Sequence, residues 1–473
     1  MLRNNSVSFL MILLLILMFF SWGVHGENST NVNEMALWDT VKNAYVYSYP
    51  LVLMDAMVQR YTNTVTPTNV KAPVNQFIYN NIMVNADFKD VVSPNVDTMY
   101  SGAFLDLNKT ALVFVKPKTD RFCSAQIFDA YTNTVDVIGS GGDAKDPLDE
   151  QICLITGKDY QGDIPEGMKQ ISVPTDIAWL LVRIIDNGPD DLPNIETIQS
   201  QMVLVPLKDY LSNQTYVPPN GTYIEKNDFI PPDHVRNMSP DEFFNTANRL
   251  MITNPPTSAD ARVIATMKSL NVGPGLTFDE KILGKDSTWQ WNSMLDSLVP
   301  VLNKKCAKFM LSTGKWKYFG DPVADFGTEY DYRALIAFVG FGANPPYVAI
   351  YPKTDLDSNN QQLSGNNSYK IHFDKGMLPP VLNGGFWSIT VYDSDNLLIA
   401  NEINRYCIND RTNLTYNPDG SLDILLRAET PGNVPESNRL PVGTGDFHLF
   451  MRVYLPDMEK ISTTWAAPDI VKQ

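Results

Sequence analysis

The sequence predicts an α+β protein with a β-rich N-terminal module, a helical middle segment and a C-terminal, jelly-roll-like antiparallel β-sandwich. Three observations support this prediction. Short apolar runs separated by turn residues fill the first part of the chain, apolar residues at helical spacing follow, and strict period-two alternation comes last. The predicted boundaries are a signal peptide at 1–26, the β-rich module at 27–235, the helical connecting region at 236–345 and the sandwich at 346–473.

The first segment has the layout of a cleaved secretory signal. Arg3 supplies a positive charge, residues 9–20 form an uninterrupted apolar run, and Val24 and Gly26 occupy the small-residue cleavage positions. The twelve residues of that run are too few to cross a hydrocarbon core, which needs about 20 in a helix. We therefore expect a secreted protein that begins near Glu27 and has no stable membrane anchor. An uncleaved anchor is the alternative.

The N-terminal module and the helical region follow from local patterns. Leu37, Val41 and Ala44 recur at helical spacing, and Pro50 is expected to break or kink that helix. Strand-like runs at 103–107, 111–115 and 178–182 alternate with loops at 139–142 and 186–191. Beyond residue 235, Ser239-Pro240-Asp241-Glu242 predicts a helix start, and further helices are predicted near 289–311, with a kink at Pro300, and from 331.

The last part of the chain alternates like strands with one buried and one exposed face. Trp387, Ile389 and Val391 alternate with Ser388 and Thr390, and the same pattern recurs at 422–426 and 447–455. The dipeptide at 419–420 is an Asp-Gly turn signal between such runs. These features predict a sandwich or barrel.

Composition limits the class of partner. The chain has 37 Lys+Arg against 53 Asp+Glu, a net charge of -16, and this acidity argues against nucleic acid or anionic membrane as the main partner. A hydrophobic fraction of 44% excludes a disordered protein. A small-molecule or glycan ligand and a homo-oligomer both remain open.

Glycosylation and disulfides are further expectations for a secreted chain. Seven asparagines begin an N-x-[ST] triplet: Asn28, Asn108, Asn213, Asn220, Asn237, Asn366 and Asn413. Asn237 is the weakest of these because Pro240 follows its serine. Four cysteines allow three pairings if all are bridged; Cys123 with Cys153 is the first choice, and free buried thiols are the alternative.

Several motifs resemble a tandem pair of domains of unknown function, known as DUF twelve-fifty-four and DUF twelve-fourteen. The first is matched by Tyr49-Pro50-Leu51, by residues 94–101 (PNVDTMYS) and by 126–133 (QIFDAYTN), the second by 378–381 (LPPV), 386–393 (FWSITVYD) and 452–456 (RVYLP). The resemblance covers nearly the whole mature chain and implies the three-part fold described above, often exported. Where the family tends to have Asn-Trp-Leu-Pro, this chain has Asn438-Arg439-Leu440-Pro441. The resemblance implies no particular activity.

Candidate catalytic residues come from the polar positions of two predicted strands. Asn95 and Asp97 share a face, as do Asp129 and Tyr131, so carboxylates and the phenols of Tyr100 and Tyr131 would converge if the strands pair. Arg333 is the fifth candidate. The alternative is that Asn95 and Asp97 only bind backbone amides in a turn.

Other chemistries have weaker support. The mature chain has three scattered histidines and no HExxH or CxxC motif, so we predict no metal site and no cofactor. A calcium-loop-like run at 355–366 lacks the glycine and glutamate such loops need. The chain has no GxSxG elbow, Walker loop or GxGxxG motif after a strand.

Two functions remain. One is an exported hydrolase or lyase acting on a small polar or carbohydrate substrate, with its site where the N-terminal module meets the sandwich. The other is a non-catalytic secreted protein that binds glycans or another protein, using aromatic side chains of the sandwich.

Overall fold

The computed structural model describes residues 27–82, 84–89, 93–108, 110–188, 190–212, 215–428 and 435–473, with side chains from residue 34 onwards. Within these ranges the chain forms helices and strands in four sheets, which confirms the α+β fold. The predicted signal peptide lies outside the described residues.

Two sheets face each other in the N-terminal module. The first has the order β1-β2-β8-β4-β5 and the second β7-β6-β3-β9. Their strands are β1 Ile78–Asn80, β2 Thr98–Asp106, β3 Leu112–Lys116, β4 Cys123–Asp129, β5 Thr134–Gly139, β6 Gln151–Thr156, β7 Lys169–Ser172, β8 Ile177–Ile185 and β9 Val203–Pro206. Apolar side chains from both sheets, including Leu105, Phe114 and Leu180, form one core between them. The module is therefore itself a sandwich.

A helical layer covers the other face of the first sheet. Its helices are α1 Glu27–Tyr61, α4 Pro231–Arg236, α5 Pro240–Thr253, α6 Ala261–Met267, α7 Ser287–Cys306 and α8 Tyr330–Val339. The other two, α2 Leu192–Gln201 and α3 Leu207–Leu211, pack against the N-terminal sandwich instead. Ser239 starts α5 with the predicted capping box. α1 packs with α4, α5, α6 and α8 around buried residues such as Tyr45 and Phe243.

Neither Pro50 nor Pro300 ends its helix. α1 continues past Pro50 to Tyr61, and α7 continues past Pro300 to Cys306. A proline removes one backbone hydrogen bond from a helix. In α1 its neighbours Tyr49 and Leu51 are buried in the helical core, and this packing holds the helix together across the missing bond.

The C-terminal sandwich also has two sheets. One has the order β10-β11-β13-β19-β15-β16, with β12 paired to β19, and the other β18-β17-β14-β20. Their strands are β10 Met310–Thr313, β11 Trp316–Phe319, β12 Ala349–Ile350, β13 Lys353–Thr354, β14 Tyr369–Phe373, β15 Val381–Asp393, β16 Cys407–Asn409, β17 Leu422–Leu426, β18 Arg439–Leu440, β19 Phe447–Pro456 and β20 Ile470–Lys472; the short helix α9, Met458–Thr463, follows β19.

The sandwich extends further back along the chain than its alternating pattern indicates. The hairpin of β10 and β11 lies within the region predicted to be helical, yet β11 pairs with β13 at the edge of the larger sheet. Trp316 is fully buried in the sandwich core, and its indole nitrogen donates to the carbonyl of Pro468. This core contact explains why so short a hairpin joins the sheet.

Candidate functional site

Three strands of the first sheet carry polar side chains to its helix-facing side. Tyr100 on β2 lies opposite Arg183 on β8, and Arg183 lies opposite Ser124 on β4. Residues directly opposite in antiparallel strands share a face, so these three align across the sheet. The guanidinium carbon of Arg183 lies 5.9 Å from the centre of the Tyr100 ring.

The turn before β2 connects this face to the sandwich. The side-chain oxygen of Asn95 accepts a hydrogen bond of 2.8 Å from the backbone amide of Asp97, which is the turn contact predicted as the alternative role of Asn95. Its side-chain nitrogen donates to the hydroxyls of Tyr100 at 3.0 Å and of Tyr454 on β19 at 2.8 Å. One asparagine thus holds two phenols from different modules.

A third phenol is held in the same way. Asn344 donates to the Tyr351 hydroxyl at 2.6 Å, and its carbonyl oxygen accepts from Arg183 at 2.9 Å. The rings of Tyr351 and Tyr454 lie 6.4 Å apart, edge to face. Tyr100, Tyr351 and Tyr454 are together called the tyrosine cluster below.

Tyr351 and Tyr454 of the tyrosine cluster keep their protons at neutral pH. Burial raises the pKa of Tyr351 and Tyr454, and the neighbouring phenols raise it further. Each hydroxyl accepts a hydrogen bond from an asparagine, and none donates one to another described residue. Because a phenol can both accept and donate, three O–H donors remain free.

Asp97 lies behind the cluster and ties the two modules together. Its side chain is fully buried, accepts a hydrogen bond of 2.5 Å from the hydroxyl of Ser388 on β15 and forms an ion pair with Arg411 at 3.1 Å. Its backbone carbonyl accepts from the amide of Asp186, at the end of β8. These contacts give Asp97 a role in attaching the sandwich to the N-terminal module.

An aromatic wall continues along the same sheet face. The indole of Trp179 stacks with Phe104 at 5.7 Å, with Phe128 at 5.1 Å and with Phe341 at 5.4 Å. Trp179 and Phe341 remain half-buried although they lie between the sheet and the helical layer. Gly342 allows this close approach, since a Cβ there would lie 2.9 Å from the Trp179 ring.

The five predicted catalytic residues do not form one site. β2 and β4 both pair with β8. Asp97 lies beside Asp186, just after the C-terminal end of β8, whereas Asp129 lies opposite Ala178, near the N-terminal end of β8. Eight residues at about 3.3 Å each separate these ends by about 26 Å. The expectation that the two carboxylates converge was therefore wrong, because Asp97 precedes β2, Asp129 ends β4, and these two strands run in the same direction.

Asp129 instead closes the turn between β4 and β5. Its carboxylate accepts from the amides of Tyr131 and Asn133 and from the Asn133 side chain, at 2.8–2.9 Å. Burial raises the pKa of Asp129, and these hydrogen bonds oppose the rise. Asp129 thus has the turn-holding role that the sequence offered as the alternative for Asn95 and Asp97.

Tyr131 and Arg333 belong to a second cluster, between the N-terminal module and the helices. The guanidinium carbon of Arg333 lies 5.2 Å from the ring centres of Tyr47, Tyr131 and Tyr330 alike. The Tyr330 hydroxyl donates to Asp260 at 2.8 Å. Arg333 and these three tyrosines are called the arginine cage below.

Sequence reasoning missed most partners in both clusters. Tyr351 and Asn344 carried no local signal, since each is an ordinary polar residue outside the strands. Tyr454 and Ser388 were noted only for their place in the alternation. A polar residue within an otherwise apolar strand, such as Arg183 in residues 177–185, is the one pattern that could have marked the site.

Other predictions have mixed outcomes. All four cysteines are free thiols, so the predicted bond between Cys123 and Cys153 is not formed; both lie in the apolar core of the N-terminal module. On β15, Trp387 lies in the sandwich core and Tyr392 is buried in a separate cluster with Leu398 and Tyr406. In the calcium-like run, Asp357 accepts from the amides of Asn359 and Gln361 as a turn.

The asparagines of the predicted sequons lie at the surface wherever their side chains are described. This holds for Asn108, Asn220, Asn237, Asn366 and Asn413. The side chains of Asn28 and Asn213 lie outside the described residues.

Among the described helices, none is long and apolar enough to cross a membrane. Within the same ranges, no three His, Cys, Asp or Glu side chains group as metal ligands would.

Two cavities open elsewhere on the described chain. One, of ≈ 230 Å³, is lined by Lys89, Asp393 and Asp446, and the other, of ≈ 700 Å³, by Phe77, Leu204 and their neighbours near the edge strands β1 and β9. Neither is lined by a residue of the tyrosine cluster or of the arginine cage.

Comparison with known proteins identifies both modules. The family described as "Protein of unknown function (DUF1254)" matches residues 74–206, and "Protein of unknown function (DUF1214)" matches residues 348–458. The crystal structure of the VPA0106 protein from Vibrio parahaemolyticus has a TM-score of 0.66 at 22% identity, over 92% of this chain and 99% of that one. A protein from Burkholderia cenocepacia aligns at a TM-score of 0.41 and 10% identity, over 94% of this chain and 98% of that one. No curated protein matches. The chain therefore contains a DUF1254 module followed by a DUF1214 module.

Proposed function

We propose that this chain is an exported hydrolase or lyase that acts on a small polar substrate at the tyrosine cluster. The observation that carries the proposal is the set of three phenol O–H donors. Two amides orient them, and no described residue accepts from them. Preoriented donors of this kind stabilise an oxygen on which negative charge develops during a reaction.

The position of the cluster suits substrate binding. Tyr100 and Tyr351 are half-buried, whereas Tyr454 is 1% exposed, so two of the three donor side chains keep partial access to solvent. Arg183 lies beside Tyr100 and adds a positive charge next to the developing oxyanion. The half-buried rings of Trp179 and Phe341, on the same sheet face, offer apolar surface to the rest of a small molecule.

The proposed chemistry needs neutral phenols, and burial favours them. The raised pKa of Tyr351 and Tyr454 makes these residues hydrogen-bond donors at neutral pH and excludes them as general bases there. A carbonyl oxygen that becomes an oxyanion, as in hydrolysis of an ester or amide or in lyase chemistry beside a carbonyl group, would gain most from three such donors.

The alternative of a glycan-binding sandwich has less support. Trp387 is 2% exposed and Tyr392 is fully buried, so neither of these rings of β15 is available to stack on a sugar. A binding protein that uses the tyrosine cluster without turnover is a separate outcome, and the experiment below distinguishes it.

The proposal that the protein is exported is supported by the predicted signal peptide at 1–26 and by the surface position of the sequons. The apolar run at 9–20 is short for a membrane span, and the five described sequon asparagines are exposed, as glycosylation requires. Sequencing the N-terminus of protein recovered from culture medium tests this part. A chain that begins at Met1 or stays in the membrane fraction would contradict export.

The activity is tested by incubating the purified protein with a metabolite and glycan extract and following depletion by mass spectrometry. Tyr100→Phe keeps the ring and removes one free donor, and we expect it to lower kcat for any depleted compound by about 100-fold. The matched control is Tyr332→Phe, which removes a buried hydroxyl that donates to the carbonyl of Gly320 in the helical layer.

The outcomes are distinct. Depletion that persists unchanged in Tyr100→Phe would place the reaction elsewhere. Retention of one compound without conversion, lost in Tyr100→Phe and kept in Tyr332→Phe, would indicate a binding protein. No depletion and no retention of any compound would contradict a small-molecule site at the tyrosine cluster.

A further inference from the structure

Buried arginines in this fold are normally well supplied with acceptors. Arg183 donates to Gln126, Asn344 and Gly342 at 2.6–2.9 Å. Arg452 donates to Thr390, Ser93 and Tyr392 at 2.8–3.1 Å, and Arg439 pairs with Glu402 and Glu436. Each of the three therefore has three or more hydrogen bonds, as a buried guanidinium requires.

Arg333 differs from these three. Its side chain is 3% exposed, yet its one hydrogen bond to a described residue is a long contact of 3.4 Å to the backbone oxygen of Tyr47. Its Nε atom has no partner within the described ranges. The three tyrosine rings lie around the guanidinium, and rings supply no lone pair to its edge N–H groups.

The nearest carboxylates are committed elsewhere. Asp129 binds the turn amides of Tyr131 and Asn133. Asp260 accepts from Thr257 through its amide and hydroxyl, and from the Tyr330 hydroxyl. No described carboxylate forms a salt bridge with Arg333, so the charge is buried without an anion in contact. Such an arrangement is rare in proteins, where buried arginines are nearly always paired.

We propose that the arginine cage binds the carboxylate of a small monoanionic organic ligand, at a site distinct from the tyrosine cluster. A planar carboxylate matches the parallel N–H groups of a guanidinium edge and can accept two hydrogen bonds from it. The rings of Tyr47, Tyr131 and Tyr330 give the ligand apolar surroundings. Asp129 and Asp260 lie close enough for charge effects on the cage, so a single negative charge is favoured over a dianion such as phosphate.

Tyr330 gives the site a route to solvent. It is half-buried at the first position of α8, whereas Tyr47 and Tyr131 are buried. Of the three rings, that of Tyr330 is the one with access to solvent, and moving it would break its hydrogen bond to Asp260. The ligand is therefore expected to enter beside the N-terminus of α8.

The test measures binding of carbon-13-labelled acetate to the full mature protein by line broadening, together with melting temperature in acetate, phosphate and chloride at equal ionic strength. We expect acetate to raise the melting temperature more than phosphate does, and chloride to have no specific effect. Arg333→Lys keeps the charge but loses the two-donor edge, and should bind acetate at least about tenfold more weakly.

Arg439→Lys is the matched control, because that arginine is equally buried but already paired with glutamates; its acetate response should equal that of the wild type. Equal responses of the wild type to acetate and chloride would overturn the proposal, and this comparison needs no variant. Wild-type acetate affinity in Arg333→Lys would also overturn it, as would a preference for phosphate. Failure here leaves the tyrosine cluster untouched, since no residue is shared.

Discussion

Replacing Asp97 with asparagine tests how the N-terminal module is attached to the sandwich. The fully buried carboxylate accepts from the Ser388 hydroxyl and pairs with Arg411, and both partners belong to the C-terminal part of the chain. Asparagine has nearly the same shape but no charge. The change therefore removes the ion pair across the junction without leaving a cavity.

The expected loss follows from these two contacts. A hydrogen bond to a charged group contributes about 1.5–3 kcal/mol, and asparagine keeps one acceptor oxygen for one of the two. Arg411 loses the carboxylate of Asp97 as its partner, which lowers the free energy of unfolding further. Because Arg411 is 18% exposed, solvent reduces this loss. We expect Asp97→Asn to lower the free energy of unfolding by about 2–3 kcal/mol.

Urea unfolding followed by tryptophan fluorescence and circular dichroism measures this change. A double-mutant cycle with Arg411→Met should show a coupling of about 1–3 kcal/mol, since the two side chains are in contact. Asp296→Asn is the control: its ion pair with Arg236 is largely exposed, and removing it should cost below about 1 kcal/mol.

An unfolding midpoint of Asp97→Asn equal to that of the wild type would refute this reasoning. A zero coupling energy with Arg411→Met would do the same, because it would mean that the ion pair does not hold the modules together. If the variant stayed fully stable but lost substrate turnover, Asp97 would have to be regarded as a catalytic residue instead.

Three further predictions follow from buried groups. Burial lowers the pKa of His448 to about 4, so the folded protein resists protonation of this histidine and the free energy of unfolding falls as the pH drops below about 6.5, by about 2 kcal/mol from pH 7.5 to 5. In His448→Gln the melting temperature should depend less on pH over that range, and a pH dependence equal to that of the wild type would contradict this. Gly342→Ala should lower the melting temperature more than Gly376→Ala does, because both have positive φ but only the first meets a side chain, that of Trp179; equal losses would count against the aromatic wall. A thiol reagent without reductant should label four cysteines in urea and react slowly with the native protein, since burial raises the pKa of all four thiols; two reactive thiols in urea would reveal a disulfide.

The sequence by itself determined the local elements and the order of the modules. Alternation at 387–391 and 447–455 predicted β15 and β19, and the capping box at Ser239 predicted the start of α5. These features depend on neighbours in the chain, so residue spacing carries enough information to identify them. The two-module arrangement could be predicted as well, because its motifs are short and continuous in the sequence.

Only the tertiary structure decided which polar residues meet. The sequence predicts one pocket for Asp97 and Asp129, but Asp97 precedes β2 and Asp129 ends β4, and because both strands run antiparallel to β8 the two residues lie at opposite ends of the strands. Asn95 reaches Tyr454 across 359 residues of sequence, and Arg333 meets Tyr47 across 286. Contacts over such separations depend on strand order and on how the modules dock, and these are set by the burial of whole apolar faces, which the spacing of individual polar residues does not reveal.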